Sequence, residues 1–177
     1  MLSVVIQMEQ QQPAALAASL AALVPGAVEG LVADVTVFGA ALGEEARWIA
    51  DEAGCRVLDE TDIVAVLALS RADWLFLLSP GARPLSGWID AVSDHLAHGS
   101  MTAGRGGGAV CFRSARRDSI FTRLMKGFRR SAPLDEGLIV LKREVLTKAE
   151  GVRSLDALAR RVKVGRLNAG IWPPDEG

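Results

Sequence analysis

The chain has no tyrosine, two histidines, two cysteines and almost no net charge, and each shortage removes a class of function. Cys55 and Cys111 fall in different candidate strands, and no cationic segment with an apolar core opens the sequence. Neither a disulfide framework nor secretion is therefore expected, and a reducing cytoplasm is the default compartment. Lysine and arginine total 20 against 21 acidic residues, a net charge of -1, which gives no general attraction to nucleic acid or to an anionic membrane. The longest apolar runs, IVAVLAL (63–69) and WLFLL (74–78), fall far short of the roughly 18–20 residues that span a bilayer. His95 and His98 stand at i, i+3 on one candidate helix beside Asp94, whereas a catalytic zinc needs three protein ligands. They are read as a solvated polar face. No Gly-x-Ser-x-Gly elbow is present, so hydrolase chemistry has no support.

What is present is apolar and aliphatic. Hydrophobic residues make up 50% of the 177 and the mean hydropathy is +0.24, a composition far from that of disordered chains and sufficient for one compact domain. LSVVI (2–6), DVTVF (34–38) and DWLFLL (73–78) are short, β-branched or apolar runs suited to strands covered on both faces, the last of them central. Between them, Leu16, Leu20 and Leu23 follow Pro13 at helical spacing, with PGAVEG (25–30) expected to end that helix. GEEARWIADEAG (43–54) carries acids in its first turn and Gly54 as its stop, and Ser86 is placed to cap a helix reaching residue 98. CRVL reads as a third, brief strand, and TDIVAVLALS (61–70) is compatible with a helix or a strand. Past Gly99 the pattern loosens into GRGGG (104–108), AVCF (109–112), GLIVL (137–141), a helix SLDALARRV (154–162) and a last short strand KVGRL (163–167). Strands alternating with helices imply βαβ units on a largely parallel sheet.

This frame resembles the family 2 glycosyltransferases of the GT-A fold, most strongly over residues 1–98. LSVVI resembles the opening strand; DVTVFGAALGEEARWIADEAGCRVL resembles the second strand, its Asp-containing loop and the next helix. ADWLFLLSPGARPLSGWIDAV resembles the central strand, the Asp-x-Asp loop and the Pro-Gly-Trp that opens the following helix. APLDEGLIVLKREVL resembles a Gly-Asp-Gln-Gly segment, and SLDALARRV the helix that begins Glu-Asp in that family. The resemblance implies a single α/β domain, a mixed and mostly parallel sheet with helices on both faces. Residues 1–98 would be the nucleotide-binding half and 99–177 a shortened acceptor half.

The chemistry implied by the resemblance departs from the family position by position. The nucleobase-binding acid falls on Gly39, with Glu44 nearby as a partial substitute, and the metal-binding pair falls on Ser79 and Gly81. Magnesium or manganese, expected of the family, needs carboxylate oxygens that neither residue supplies, so no metal and no cofactor are expected. The later acidic pair falls on Ser154 and Leu155, and a one-residue shift turns Asp156 about 100° away. Ile6, Gly39, Glu44, Ser79, Gly81 and Arg83 are the candidate substrate-binding positions, and Asp135 and Glu136 the candidate catalytic acids. Paired acids in a loop before a strand are more often surface residues.

Two readings follow. One is a degenerate transferase without metal-dependent sugar transfer, a pseudoenzyme acting as a binding or regulatory module for a nucleotide-diphospho-sugar or a protein. The alternative is an active, metal-independent glycosyltransferase with Asp135 or Glu136 as base. RRDSIFTRLMKGFRR (116–130) reads as an amphipathic helix packed on the core, or as a peripheral membrane contact. GRGGG reads as a flexible turn rather than a phosphate cradle.

Overall fold

The computed structural model describes residues 1–8, 12–102, 108–115 and 133–175. The basic stretch 116–130 and all of GRGGG but Gly108 lie outside the described residues. The order of elements is β1 (Leu2–Gln7), α1 (Pro13–Val28), β2 (Val32–Phe38), α2 (Glu44–Glu52), β3 (Arg56–Leu58), α3 (Ile63–Ala68) and β4 (Trp74–Leu78). There follow β5 (Arg83–Pro84), α4 (Trp88–Thr102), β6 (Val110–Ser114), β7 (Leu138–Leu141), α5 (Lys142–Leu146), α6 (Leu155–Ala159) and β8 (Gly165–Trp172). The strands form one sheet in the order β3-β2-β1-β4-β7-β6-β8-β5. β1 runs parallel to β2 and β4, placing Ile6 between Val37 and Leu78, and β2 is parallel to β3. Beyond β4 the sheet is mixed: β7 is antiparallel to β4 and β6, β6 is parallel to β8, and β5 is antiparallel to β8.

The two-residue period of a strand divides each apolar run between two cores. Leu2, Val4 and Ile6 of β1 and Trp74, Phe76 and Leu78 of β4 point to the face covered by α1, α2 and α4. Val5, Leu75 and Leu77 point to the opposite face, with Ile63, Val66 and Leu67 of α3 and Leu155 and Leu158 of α6. Continuous apolar runs are thus needed because both faces are covered. Phe76 centres the first core, its ring 5.5 Å from Phe112 and 6.1 Å from Trp88. Burying one such side chain contributes about 1.5–3 kcal/mol.

Local chemistry sets the helix limits. The Asp62 carboxylate accepts from the backbone N–H of Val64 at 2.9 Å and of Ala65 at 3.4 Å, and this cap makes IVAVLA a helix rather than a strand. α1 does not stop at PGAVEG as the sequence suggests: Pro25 lies inside it. The actual stop is Gly30, with φ +74°, whose N–H donates to Ala27 O at 3.1 Å while Leu31 N–H donates to Gly26 O at 2.9 Å. This is a Schellman motif, which a left-handed glycine permits. Gly26 persists within the helix because a β-carbon there would lie 2.5 Å from the Trp88 ring. The final strand is also longer than expected, eight residues from 165 rather than a short segment from 163.

Candidate functional site

The carboxyl ends of β1, β2 and β4 lie side by side, because the register sets Gln7 against Phe38 and Ile6 against Leu78. Ligands in open α/β sheets bind outside such strand ends. Ile6 itself has no exposed surface, and its side chain belongs to the core. Past the strand ends, Met8 N–H donates to Phe38 O at 2.8 Å and Gly39 N–H to Leu58 O at 3.3 Å. Gly39 is buried, and a β-carbon there would overlap the Met8 carbonyl oxygen and stand 3.4 Å from its carbonyl carbon. Backbone therefore occupies the space that an acidic side chain at this position would need.

The loop after β4 is closed in a different way. Ser79 N–H donates to Leu134 O at 3.2 Å and Ala82 N–H to Ser79 O at 3.1 Å. Gly81 adopts φ +90°, the left-handed region that disfavours any side chain. A β-carbon at Gly81 would lie 3.3 Å from Pro174 Cβ and 3.5 Å from Ala15 Cβ. Its N–H is shared between Ser19 Oγ at 2.8 Å and Ala15 O at 3.1 Å, and the Ser19 hydroxyl donates to Ala82 O at 2.9 Å. Ser19 is fully buried. Its place on the Leu16-Leu20-Leu23 stripe, the one polar residue there, is the sequence signal that could have revealed it. Nothing comparable announced Pro174. Arg83 follows at β5, half-buried, and its Nε has no hydrogen-bond partner among the described residues.

The turn before β7 touches this loop through Leu134, which also accepts from Gly137 N–H at 3.0 Å. Asp135 is half-buried, while Glu136 is only 8% exposed. Glu136 is therefore not the surface acid its context suggests: its carboxylate pairs with the Arg166 guanidinium of β8, which also donates to Phe112 O at 3.0 Å. A buried acid survives only with such compensation. Beside the pair, the Cys111 thiol is pushed up to about 12, first by burial and then by the Glu136 charge, with Arg166 opposing. A protonated thiol is no nucleophile. Arg166 lies 30 residues from its partner, outside any motif, and only the tertiary fold brings the two together.

The remaining candidates stand apart. Glu44 is exposed in the first turn of α2 and lines a pocket of about 320 Å³ with Pro13, Gly43, Glu45 and Ala46. Ser154 caps α6, accepting from Ala157 N–H at 3.2 Å, and Gln7 Oε1 accepts from Leu155 N–H at 2.6 Å. Asp156 pairs along its own helix with Arg160 at 2.8 Å. His98 is exposed, but His95 is not a solvated residue: its ring stands edge-on to Trp74 at 5.4 Å and its Nε2 lies 2.9 Å from Gly108 O. Among the described residues, no three His, Cys, Asp or Glu side chains are grouped to hold a metal ion, and no helix is long and apolar enough to cross a membrane.

No protein-family model matches the chain, and no curated protein matches it by sequence. Solved structures do match. Glucosyl-3-phosphoglycerate synthase from Mycobacterium tuberculosis, in complex with manganese and uridine-diphosphate-glucose, superposes with TM-score 0.61 at 17% identity over 100% of this chain and 72% of that one. Mannosyl-3-phosphoglycerate synthase from Rubrobacter xylanophilus gives TM-score 0.62 at 13% identity over 100% of this chain and 68% of that one. A mycobacterial protein matches at TM-score 0.62 and 18% identity, again over the whole chain and 68% of its own length. With its mostly parallel sheet, its helices on both faces and these neighbours, the chain has the fold of the GT-A type glycosyltransferases.

Proposed function

We propose that this chain is a GT-A-like module that does not perform metal-dependent sugar transfer and serves as a binding or regulatory domain. The observation that carries this reading is the geometry at Gly39, where the Met8 carbonyl fills the place of the base-binding acid expected from the resemblance. Gly81 agrees: a left-handed glycine packed on Pro174 stands where the resemblance leads one to expect a metal ligand. Hard divalent cations in such sites rely on carboxylates together with substrate phosphates, and Ser79 and Gly81 offer none. Glu136 is held by Arg166, which leaves Asp135 as the one candidate base. The metal-independent alternative draws on Arg83, a half-buried cation that follows the loop on β5 and is suited to phosphate charge.

Titration calorimetry with uridine-diphosphate-glucose, with and without millimolar manganese, tests the reading. No manganese-dependent binding and no rise in Tm are expected; a ligand at 100 times its Kd would add about 2.7 kcal/mol of stability. Manganese-dependent binding would overturn the proposal. Release of uridine diphosphate in the presence of EDTA, lost in Arg83→Ala, would instead establish the alternative.

A further inference from the structure

α1 is a surface helix without a charged side chain. Its 16 residues, PAALAASLAALVPGAV, include one polar residue, the buried Ser19. Leu16, Leu20 and Leu23 face the core, yet the outward positions are Ala14, Ala21, Val24, Pro25, Ala27 and Val28, with Val24 55% and Val28 81% exposed. A solvent-facing helix normally carries a polar back, and one that is apolar all round is normally covered. α2 adds Trp48, 64% exposed, and between the two helices runs a groove of about 410 Å³ lined by Leu20, Val24, Val35, Trp48, Ile49 and Ala53, among others. A large aromatic left in the open beside an apolar groove is the kind of anchor site that interfaces use.

The charges around the groove select its occupant. Glu45, Trp48, Ile49 and Glu52 fall at i, i+3, i+4 and i+7 and so share one stripe of α2, with Glu52 in the groove wall. Glu29 follows the end of α1, and Glu44, Glu45, Asp51 and Glu52 are all exposed. From Pro13 to Gly54 the one basic residue is Arg47, and it is paired with Asp59 at 2.5 Å, off the groove. The surface is therefore an apolar channel with an acidic rim. Two copies meeting groove to groove would set like charges against one another, and an anionic membrane would be repelled; a segment with apolar anchors flanked by lysine or arginine satisfies both rim and channel.

We propose that the α1–α2 groove is a docking site for a basic amphipathic helix of a partner protein, seated on Trp48 and Val24 and steered by Glu45 and Glu52. It is separate from the strand-end site and does not depend on the nucleotide reading. The probe is a 14-residue leucine/lysine amphipathic peptide, with its leucine/glutamate counterpart as control, titrated against the full chain by calorimetry at low and high salt. Binding of the lysine peptide alone is expected, weakened by salt and reduced about tenfold or more by Trp48→Lys or Val24→Lys. Both residues are exposed, so these variants should melt as the parent does. Glu45→Lys with Glu52→Lys keeps the apolar channel and should exchange preference to the glutamate peptide. Equal binding of both peptides, or lysine-peptide binding indifferent to all four substitutions, would overturn the proposal. So would a dimer in sedimentation that Trp48→Lys dissolves, which would assign the groove to a second copy, or binding to phosphatidylserine vesicles.

Discussion

The bodies of β1, β2 and β4 and their carboxyl ends are built under different constraints. In the bodies, Val4, Val5, Phe76 and Leu77 have no exposed surface and fit two facing cores. At the ends stand Gly39, Ser79 and Gly81, and the two glycines are hemmed in by the Met8 carbonyl at one and by Pro174 and the Ala15 methyl at the other. Apolar bodies are required to fold. The ends are free of that requirement, and the fold alone does not fix what they bind.

Substitutions can break this contrast, and the largest effect should come from a strand body. Phe76→Ala removes the ring between Trp88 and Phe112 and should cost about 3–5 kcal/mol, read as a lowered urea midpoint at unchanged m-value. Gly39→Asp comes next: overpacking against the Met8 carbonyl should cost about 1–3 kcal/mol, and no affinity for uridine diphosphate should appear. If Gly39→Asp were neutral and gained nucleotide binding, the strand ends would be open rather than filled. Gly81→Asp places a side chain at φ +90° against Pro174 and should cost about 1–2 kcal/mol. Gly81→Asn should cost less, since asparagine tolerates that conformation better.

A last contrast is read through pH and vanishes near neutrality. The Cys111 thiol is raised from 9.0 to about 12, so the folded state favours the neutral form. Its contribution to stability is fully present below pH 9 and is lost as pH rises toward 12. Cys111→Ala should flatten the decline in Tm over that window, and a thiol reagent at pH 8 should leave Cys111 unmodified in the folded chain.

Strand bodies are legible in sequence because burial on both faces leaves a local trace: VVI, VTVF and WLFLL are runs of β-branched or apolar residues whatever else the chain does. That Gly39, Ser79 and Gly81 carry no acid is legible too. What fills their places is not. Met8 contributes a carbonyl, which every residue has, and Pro174 reaches Gly81 across 93 positions. The full length of β8 is not legible because GRLNAGIW carries two glycines and an asparagine; it is set by pairing with β6 and β5, not by its own preference. Pro25 and Gly26 read as a stop, but Trp88 requires the glycine and the helix ends only where Gly30 turns left-handed.

Ser19 carries a consequence in the time domain. Loops that receive phosphates are commonly ordered by the ligand, their amides exchanging with solvent until it binds. Here the Gly81 amide donates within the fold, to Ser19 Oγ and Ala15 O. Its hydrogen should exchange only when α1 lifts from the sheet, an opening that exposes Leu16, Leu20 and Leu23 and approaches global unfolding in free energy. In deuterium oxide the loop at 79–82 should therefore be among the slow regions, and added nucleotide should not make it slower.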